Sequence, residues 1–182
     1  MALQTWNIDT VHSAIAFSVR HMVVAKTRGR FTKWSGVLKF DAANPAGSSV
    51  EVKIDPASID TNEAQRDGHL RSPDFFDVAK FPEAGFKSTR LEPAGDDRYQ
   101  IHGDLTLHGI TRPVVLDATF EGEGKDPWGG TRVGFSATTS IERKQFGLEW
   151  NKALETGGVL VGEKVELQLE VEAVLAAAAV AA

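Results

Sequence analysis

The sequence predicts an all-β domain in which eight or nine antiparallel strands close into a barrel, interrupted by one short helix. Three observations carry this expectation. Apolar and polar residues alternate with a period of two through most of the chain. The runs are separated by short clusters such as Asn44-Pro45-Ala46-Gly47, Pro93-Ala94-Gly95-Asp96 and Asp126-Pro127-Trp128-Gly129-Gly130, which suit hairpins and are too short for parallel crossovers. Only residues 59–72 break the alternation for long enough to form a helix.

Taken in order, strands are expected at residues 5–9, 14–22, 27–41, 50–55, 84–91, 99–108, 113–121, 131–141 and 165–173. In the second of these, Ile15, Phe17, Val19 and His21 share a face. In the last, Val165, Leu167, Leu169, Val171 and Ala173 interleave with Glu166, Gln168, Glu170 and Glu172, one face dry and the other wet. Asp60 with Glu63 three residues on has the form of a capping box ahead of a helix ending near Ser72. Pro73-Asp74-Phe75-Phe76-Asp77 then follows as a loop whose adjacent rings need an apolar surface to cover. A sheet with one apolar face must bury it, and with a single helix available, closure on itself is the simplest solution. A barrel of about eight strands is just wide enough to be filled or to hold one ligand.

Composition narrows the function. The chain has 182 residues, 42% hydrophobic and 25% charged, as in an ordinary globular domain. Zero Cys excludes disulfides, thiol nucleophiles and thiolate metal sites. A net charge of -5 argues against nucleic-acid binding or whole-surface attraction to anionic lipid. A local basic run is present in Arg20, Lys26, Arg28, Arg30, Lys33 and Lys39, with no Asp or Glu between its ends, and its simplest reading is a solvated strand face. The first residues lack a basic segment followed by an apolar one, so a cytoplasmic location is expected, a periplasmic or secreted one if a leader has been removed. Ala173–Ala182 is apolar but far short of the ~18 residues a membrane span needs, so no transmembrane anchor is expected and the tail reads as a frayed extension.

Catalytic motifs are sparse. His102 and His108 share a strand face about 20 Å apart, too far to hold one ion. No Gly-x-Ser-x-Gly elbow is present, and Gly122-Glu-Gly-Lys125 has no helix behind it to form a phosphate loop. Asp74 and Asp77 read as caps of the turn that follows each. Neither a metal nor a cofactor is expected. What remains is a large aromatic complement for one small barrel.

Several ungapped stretches then make the sequence specific: Trp6-Asn-Ile-Asp9, His12-Ser13, Phe17-Ser-Val-Arg-His-Met22, Arg28-Gly-Arg-Phe31, Arg66-Asp-Gly-His-Leu-Arg71, Asp74-Phe-Phe-Asp77, Phe81-Pro82, Gly103-Asp-Leu-Thr-Leu-His-Gly-Ile-Thr111, Arg143-Lys-Gln-Phe-Gly147 and Trp150-Asn151. In this order they resemble the YceI family of bacterial lipid-binding proteins. The resemblance covers about residues 4–174 as one domain, leaving 175–182 as an Ala-rich tail. It implies an extended, eight-stranded, lipocalin-like antiparallel barrel holding a long amphiphilic chain, and a homodimer by analogy. A polyisoprenoid, an isoprenoid quinone or a fatty amide would suit it. Burying about twenty carbons would supply about 16 kcal/mol gross, before ordering costs.

The expected function is that of a non-enzymatic lipid carrier, store or stress protein. Phe17, Val19, Val52, Phe86, Leu105, Phe120, Phe135 and Leu167 are the expected lining. Phe75, Phe76 and Phe81 would cover the mouth, joined by Trp34, Phe146 and Trp150. A polar head would meet His21, Arg28, Arg30 or His69. The alternative is a lipid hydrolase or isomerase using His12, His69, His108 or the Asp74/Asp77 pair, which requires a His and a carboxylate to converge beside the apolar interior.

Overall fold

The computed structural model describes residues 2–177. Eleven strands are present among them: β1 (Gln4–Ile8), β2 (Ala14–His21), β3 (Ala25–Phe31), β4 (Trp34–Phe40), β5 (Ser49–Ile54), β6 (Ile59–Asp60), β7 (Ala84–Pro93), β8 (Arg98–Leu107), β9 (Ile110–Lys125), β10 (Thr131–Glu142) and β11 (Val161–Leu175), with one α-helix, α1 (Ala64–Arg71). Eight of them close a ring in the order β1-β4-β5-β7-β8-β9-β10-β11, with β11 returning to β1, and every pair is antiparallel. The expected barrel is therefore present, with β2, β3 and β6 added as a spur.

Closure depends on the length of β11. Its last residues pair with β1, Ile8 opposite Ala173 and Trp6 opposite Leu175. Its earlier part pairs on the same edge with β2, from Val165 opposite Val19 to Glu170 opposite Ala14. One strand thus borders two partners in succession. The expected single strand over 27–41 is for the same reason two strands, broken at Thr32-Lys33. β3 belongs to the spur and β4 to the ring, and the Thr32 amide leaves the ladder to donate to the Ser58 carbonyl (3.2 Å). Alternation records which face is buried and is blind to a change of neighbour. The two-residue β6 was too short to leave any periodic signal.

The helix lies where expected, but its cap differs. Glu63, not Asp60, is the N-cap, accepting from the Gln65 and Arg66 amides, while Asp60 accepts from the Asn62 amide at 2.9 Å. The segment Ala64-Gln-Arg-Asp-Gly-His-Leu-Arg71 carries no apolar stripe and is held by polar contacts instead. Buried Asp67 accepts from the Thr61 amide and hydroxyl, and Arg71 donates to the Ala57 and Ile59 carbonyls.

The alanine-rich end also departs from expectation. Ala173 is fully buried, and the Ala176 amide donates to the Thr5 carbonyl (2.9 Å), so residues 173–176 belong to the sheet. The rest of the tail, beyond residue 177, lies outside the described residues.

Arg132 ties this seam to the β9–β10 turn. Its guanidinium donates to Asp9 (2.8 Å), Asp126 (2.9 Å) and Glu172. Those hydrogen bonds hold the Asp9 carboxyl well below the usual carboxylate range and lower that of Asp126. A depressed carboxyl stabilises the fold above its unfolded pKa and loses that contribution as pH falls through the folded value. The Arg132 network should be complete above about pH 4 and fade below it. The thermal midpoint of Arg132→Met should accordingly lie below wild type at pH 7, with the gap narrowing toward pH 3. A gap independent of pH would remove this assignment.

Candidate functional site

Inside the ring lies a wholly apolar void of about 130 Å³, to which every ring strand and β2 contribute. Trp34 and Leu38 from β4, Val50 and Val52 from β5, Phe86 from β7, and Ile101 and Leu105 from β8 form one side. Leu116 and Ala118 from β9, Phe135 and Ala137 from β10, and Leu167, Leu169 and Val171 from β11 form the other. Ser136 and Tyr99 are the hydroxyl-bearing residues of the lining, and the Ser136 hydroxyl is turned away to Glu121. Trp34, Val50, Val52, Ile101, Phe135, Leu167 and Leu169 line this void yet remain only half-buried. In a core packed to crystal-like density such residues would be closed over. The middle of the barrel is hollow, but narrower than the ~300–1,000 Å³ of a drug-sized ligand site.

Two clusters of rings belong to the same apolar core as the lining. In one, Phe40 meets Tyr99, Phe120 and Phe135 at 5.9, 5.6 and 5.1 Å between centroids. In the other, Phe17 meets Phe31 at 5.8 Å, and Phe31 meets Phe76 edge-on at 5.9 Å. Glycine permits two further close approaches of rings to backbone. A Cβ at Gly29 would sit 2.4 Å from the Phe17 ring, and one at Gly103 would sit 2.3 Å from Phe86.

Of the residues named from sequence, Trp34, Val52, Phe86, Leu105, Phe135 and Leu167 line the void. Phe120 backs Phe135 at 5.2 Å. Phe17 and Val19 sit on the spur, outside the lining, Phe17 over Gly29. The loop rings do not act as one cover. Phe76 faces Phe31, Phe75 is buried against His69 and Trp150, and Phe81 packs on His108 at 4.7 Å. Phe146 is fully buried in the core without lining the void. His21, Arg28, Arg30 and His69 do not reach it either; Arg30 pairs with Asp60 and His69 with Asp74. Sequence reasoning passed over Val50, Ile101 and Leu169, although each shares a strand face with a residue that was named.

The polar constellations lie elsewhere. His69 Nε2 and Asp74 Oδ2 are 2.8 Å apart, so the Asp74 carboxylate takes His69 in place of the turn amides it was expected to cap. His12 contacts Asp9 (2.9 Å) and His102 contacts Glu92 (3.1 Å). His108 Nδ1 is 3.1 Å from the Phe146 carbonyl oxygen. None of these groups lines the apolar void. Asp9, His12 and Glu172 are close enough to hold an ion, but Arg132 places its cation between the two carboxylates. A wider groove opens on the outer wall, where β9 and β10 part beyond the pair Thr138–Asp117, but Arg90, Asp104, Arg112 and Glu142 line it, an unsuitable surface for a greasy chain.

Comparison with known proteins agrees with this architecture. The model of the YceI-like domain matches residues 6–173. A UPF0312 protein of Vibrio cholerae is 48% identical over 144 residues, covering 78% of this chain and 76% of the relative. A UPF0312 protein of Pseudomonas savastanoi pv. phaseolicola is 46% identical over 138 residues, 76% of this chain and 72% of the relative. Among solved structures, Burkholderia cenocepacia BcnA superposes with a TM-score of 0.81 at 27% identity, over 91% of this chain and 98% of that one. A polyisoprenoid binding domain from Saccharophagus degradans, implicated in plant cell wall breakdown, shares the fold at a TM-score of 0.72 and 17% identity, over 96% of this chain and all of the other.

Proposed function

On the premise that this chain belongs to the YceI-like domain family, we propose that it binds one long-chain amphiphilic lipid in the barrel interior and carries or stores it without chemical change. The observation that carries this reading is the void itself, lined by carbon from every strand of the ring and half-open where a solid core would be closed. A fold neighbour, the polyisoprenoid binding domain from Saccharophagus degradans, supports an isoprenoid-like chain, a quinone or fatty amide being related choices. Because the empty void is narrow, loading requires half-buried lining residues such as Trp34 and Phe135 to swing aside, as flexible side chains around an apolar cavity can. A carrier rather than a catalyst is favoured because, among the described residues, no His–carboxylate pair lines the void.

Organic extraction of purified protein followed by mass spectrometry should release a prenyl or long acyl chain near one equivalent. Stripped protein should take up an added prenyl chain. Turnover of the chain into a shorter or oxidised product would favour the enzyme reading, and absence of both co-purified and added lipid would falsify the proposal.

A further inference from the structure

We propose that the tip of the β2–β3 hairpin is a docking point for an anionic lipid bilayer. The tip is the three-residue link Met22-Val23-Val24 between paired His21 and Ala25. All three side chains are bare, at 45%, 60% and 83% exposure, and Val159, at 40%, stands in the adjoining turn. There the Met22 amide donates to the Leu160 carbonyl (2.9 Å), and Val23 lies against Gly158.

The backbone sharpens the point. Met22 and Val23 hold φ values of 51° and 67°. Hairpin links of this hand ordinarily carry Asn and Gly, and a β-branched residue resists that region. Two apolar residues at strained positions, both facing solvent, serve neither turn formation nor the core. Strain retained in this way marks a surface with a use.

Charge identifies the partner. Exposed Arg20, Lys26 and Arg28 flank the tip, and no acid occurs on either hairpin strand. Glu166 on β11 pairs with Lys26 (2.8 Å), and the neighbouring turn carries one acid, Glu155, and one base, Lys152, so Arg20 and Arg28 are the hairpin cations that give the tip its positive collar. Arg20 also steadies the tip through the Val23 carbonyl at 3.4 Å. Since the whole chain is acidic, any attraction to an anionic surface has to be local. A three-residue apolar point is far below the ~800 Å² per partner of a stable protein interface, but it suits a wedge entering the headgroup boundary beneath a basic collar. The hairpin carries its tip roughly 17 Å beyond Phe17 along the strand, away from the Phe17–Phe31 contact.

Flotation of the purified chain with vesicles tests this, comparing phosphatidylcholine alone with an equal mixture of phosphatidylcholine and phosphatidylglycerol. Wild type should float with the anionic vesicles only and be released by sodium chloride. Arg28→Glu should weaken binding about tenfold or more. Met22→Asn with Val23→Gly is the decisive variant, because a relaxed turn should raise the thermal midpoint by about 2–4 °C while abolishing flotation. Failure of wild type to float, equal flotation of the Asn–Gly tip, or a concentration-dependent dimer lost in Val24→Asp without vesicle binding would each overturn the proposal. Flotation needs no chain inside the barrel, so it stands or falls separately from lipid loading.

Discussion

Replacing Arg143 with Met should cost about 3–5 kcal/mol of folding stability and lower the thermal midpoint by about 10 °C. Arg143 is 3% exposed, and among the described residues its guanidinium makes no ion pair. Its guanidinium instead donates to four backbone carbonyls, those of Gly162 (2.7 Å), Leu148 (2.6 Å), Trp150 (3.0 Å) and Val161 (3.3 Å). Leu148 and Trp150 lie in the irregular stretch before β11, and Val161 and Gly162 open that strand where its ladder with β2 is interrupted, the Val161 carbonyl also accepting from Asn151 Nδ2 (2.7 Å). Burial lowers the Arg143 pKa from its ordinary value, yet a guanidinium has ample room to stay charged. Methionine would match the bulk and remove the guanidinium donor from the Gly162, Leu148 and Trp150 carbonyls, at about 1–3 kcal/mol each before water replaces part of the loss, while Val161 keeps Asn151. Arg143→Lys should recover less than half, since an ammonium cannot span the positions a planar fork reaches. Urea denaturation measures all three proteins, and a loss under about 1 kcal/mol for the Met variant would refute this role.

The second large effect concerns the void. Ala137 lies opposite Ala118 across β10 and β9 and opposite Leu169 across β10 and β11, and all three line the interior. Small residues at adjacent wall positions leave the space that larger ones would fill. Ala137→Phe should therefore displace about four methylenes of a bound chain, worth about 3 kcal/mol, and weaken prenyl uptake about 100-fold. Val115→Phe, on the half-exposed outer wall, should leave uptake unchanged. Titration of stripped protein with a fluorescent prenyl probe reads both. Equal uptake by wild type and Ala137→Phe would place the chain outside the barrel, whereas equal loss in both variants would mean that general destabilisation is being measured.

Much of the architecture was legible because burial writes itself into a strand as alternation. The faces carrying Val50 and Val52, Leu105 and Leu107, and Leu167 and Leu169 were readable, and six lining residues could be named from them. The same signal could not tell void from core. Phe146 and Phe135 are both large, apolar and inward, yet one is sealed at 1% exposure and the other faces open space. The polar-head candidates His21, Arg28, Arg30 and His69 were grouped by closeness in sequence, a poor guide where strands lead away from the interior.

Period-two patterning, turn chemistry and a lone helical interval were thus enough by themselves to determine a single antiparallel barrel, because each reports a local choice between solvent and interior. Tertiary structure alone decided which neighbour each edge takes: β11 shared between β1 and β2, the break between β3 and β4, and Arg143 reaching the Val161 and Gly162 carbonyls of β11. Hydrogen-bond partners far apart in the chain are chosen by closure of the ring. The width of the void follows from how side chains from all eight ring strands meet, a property that no one strand contains.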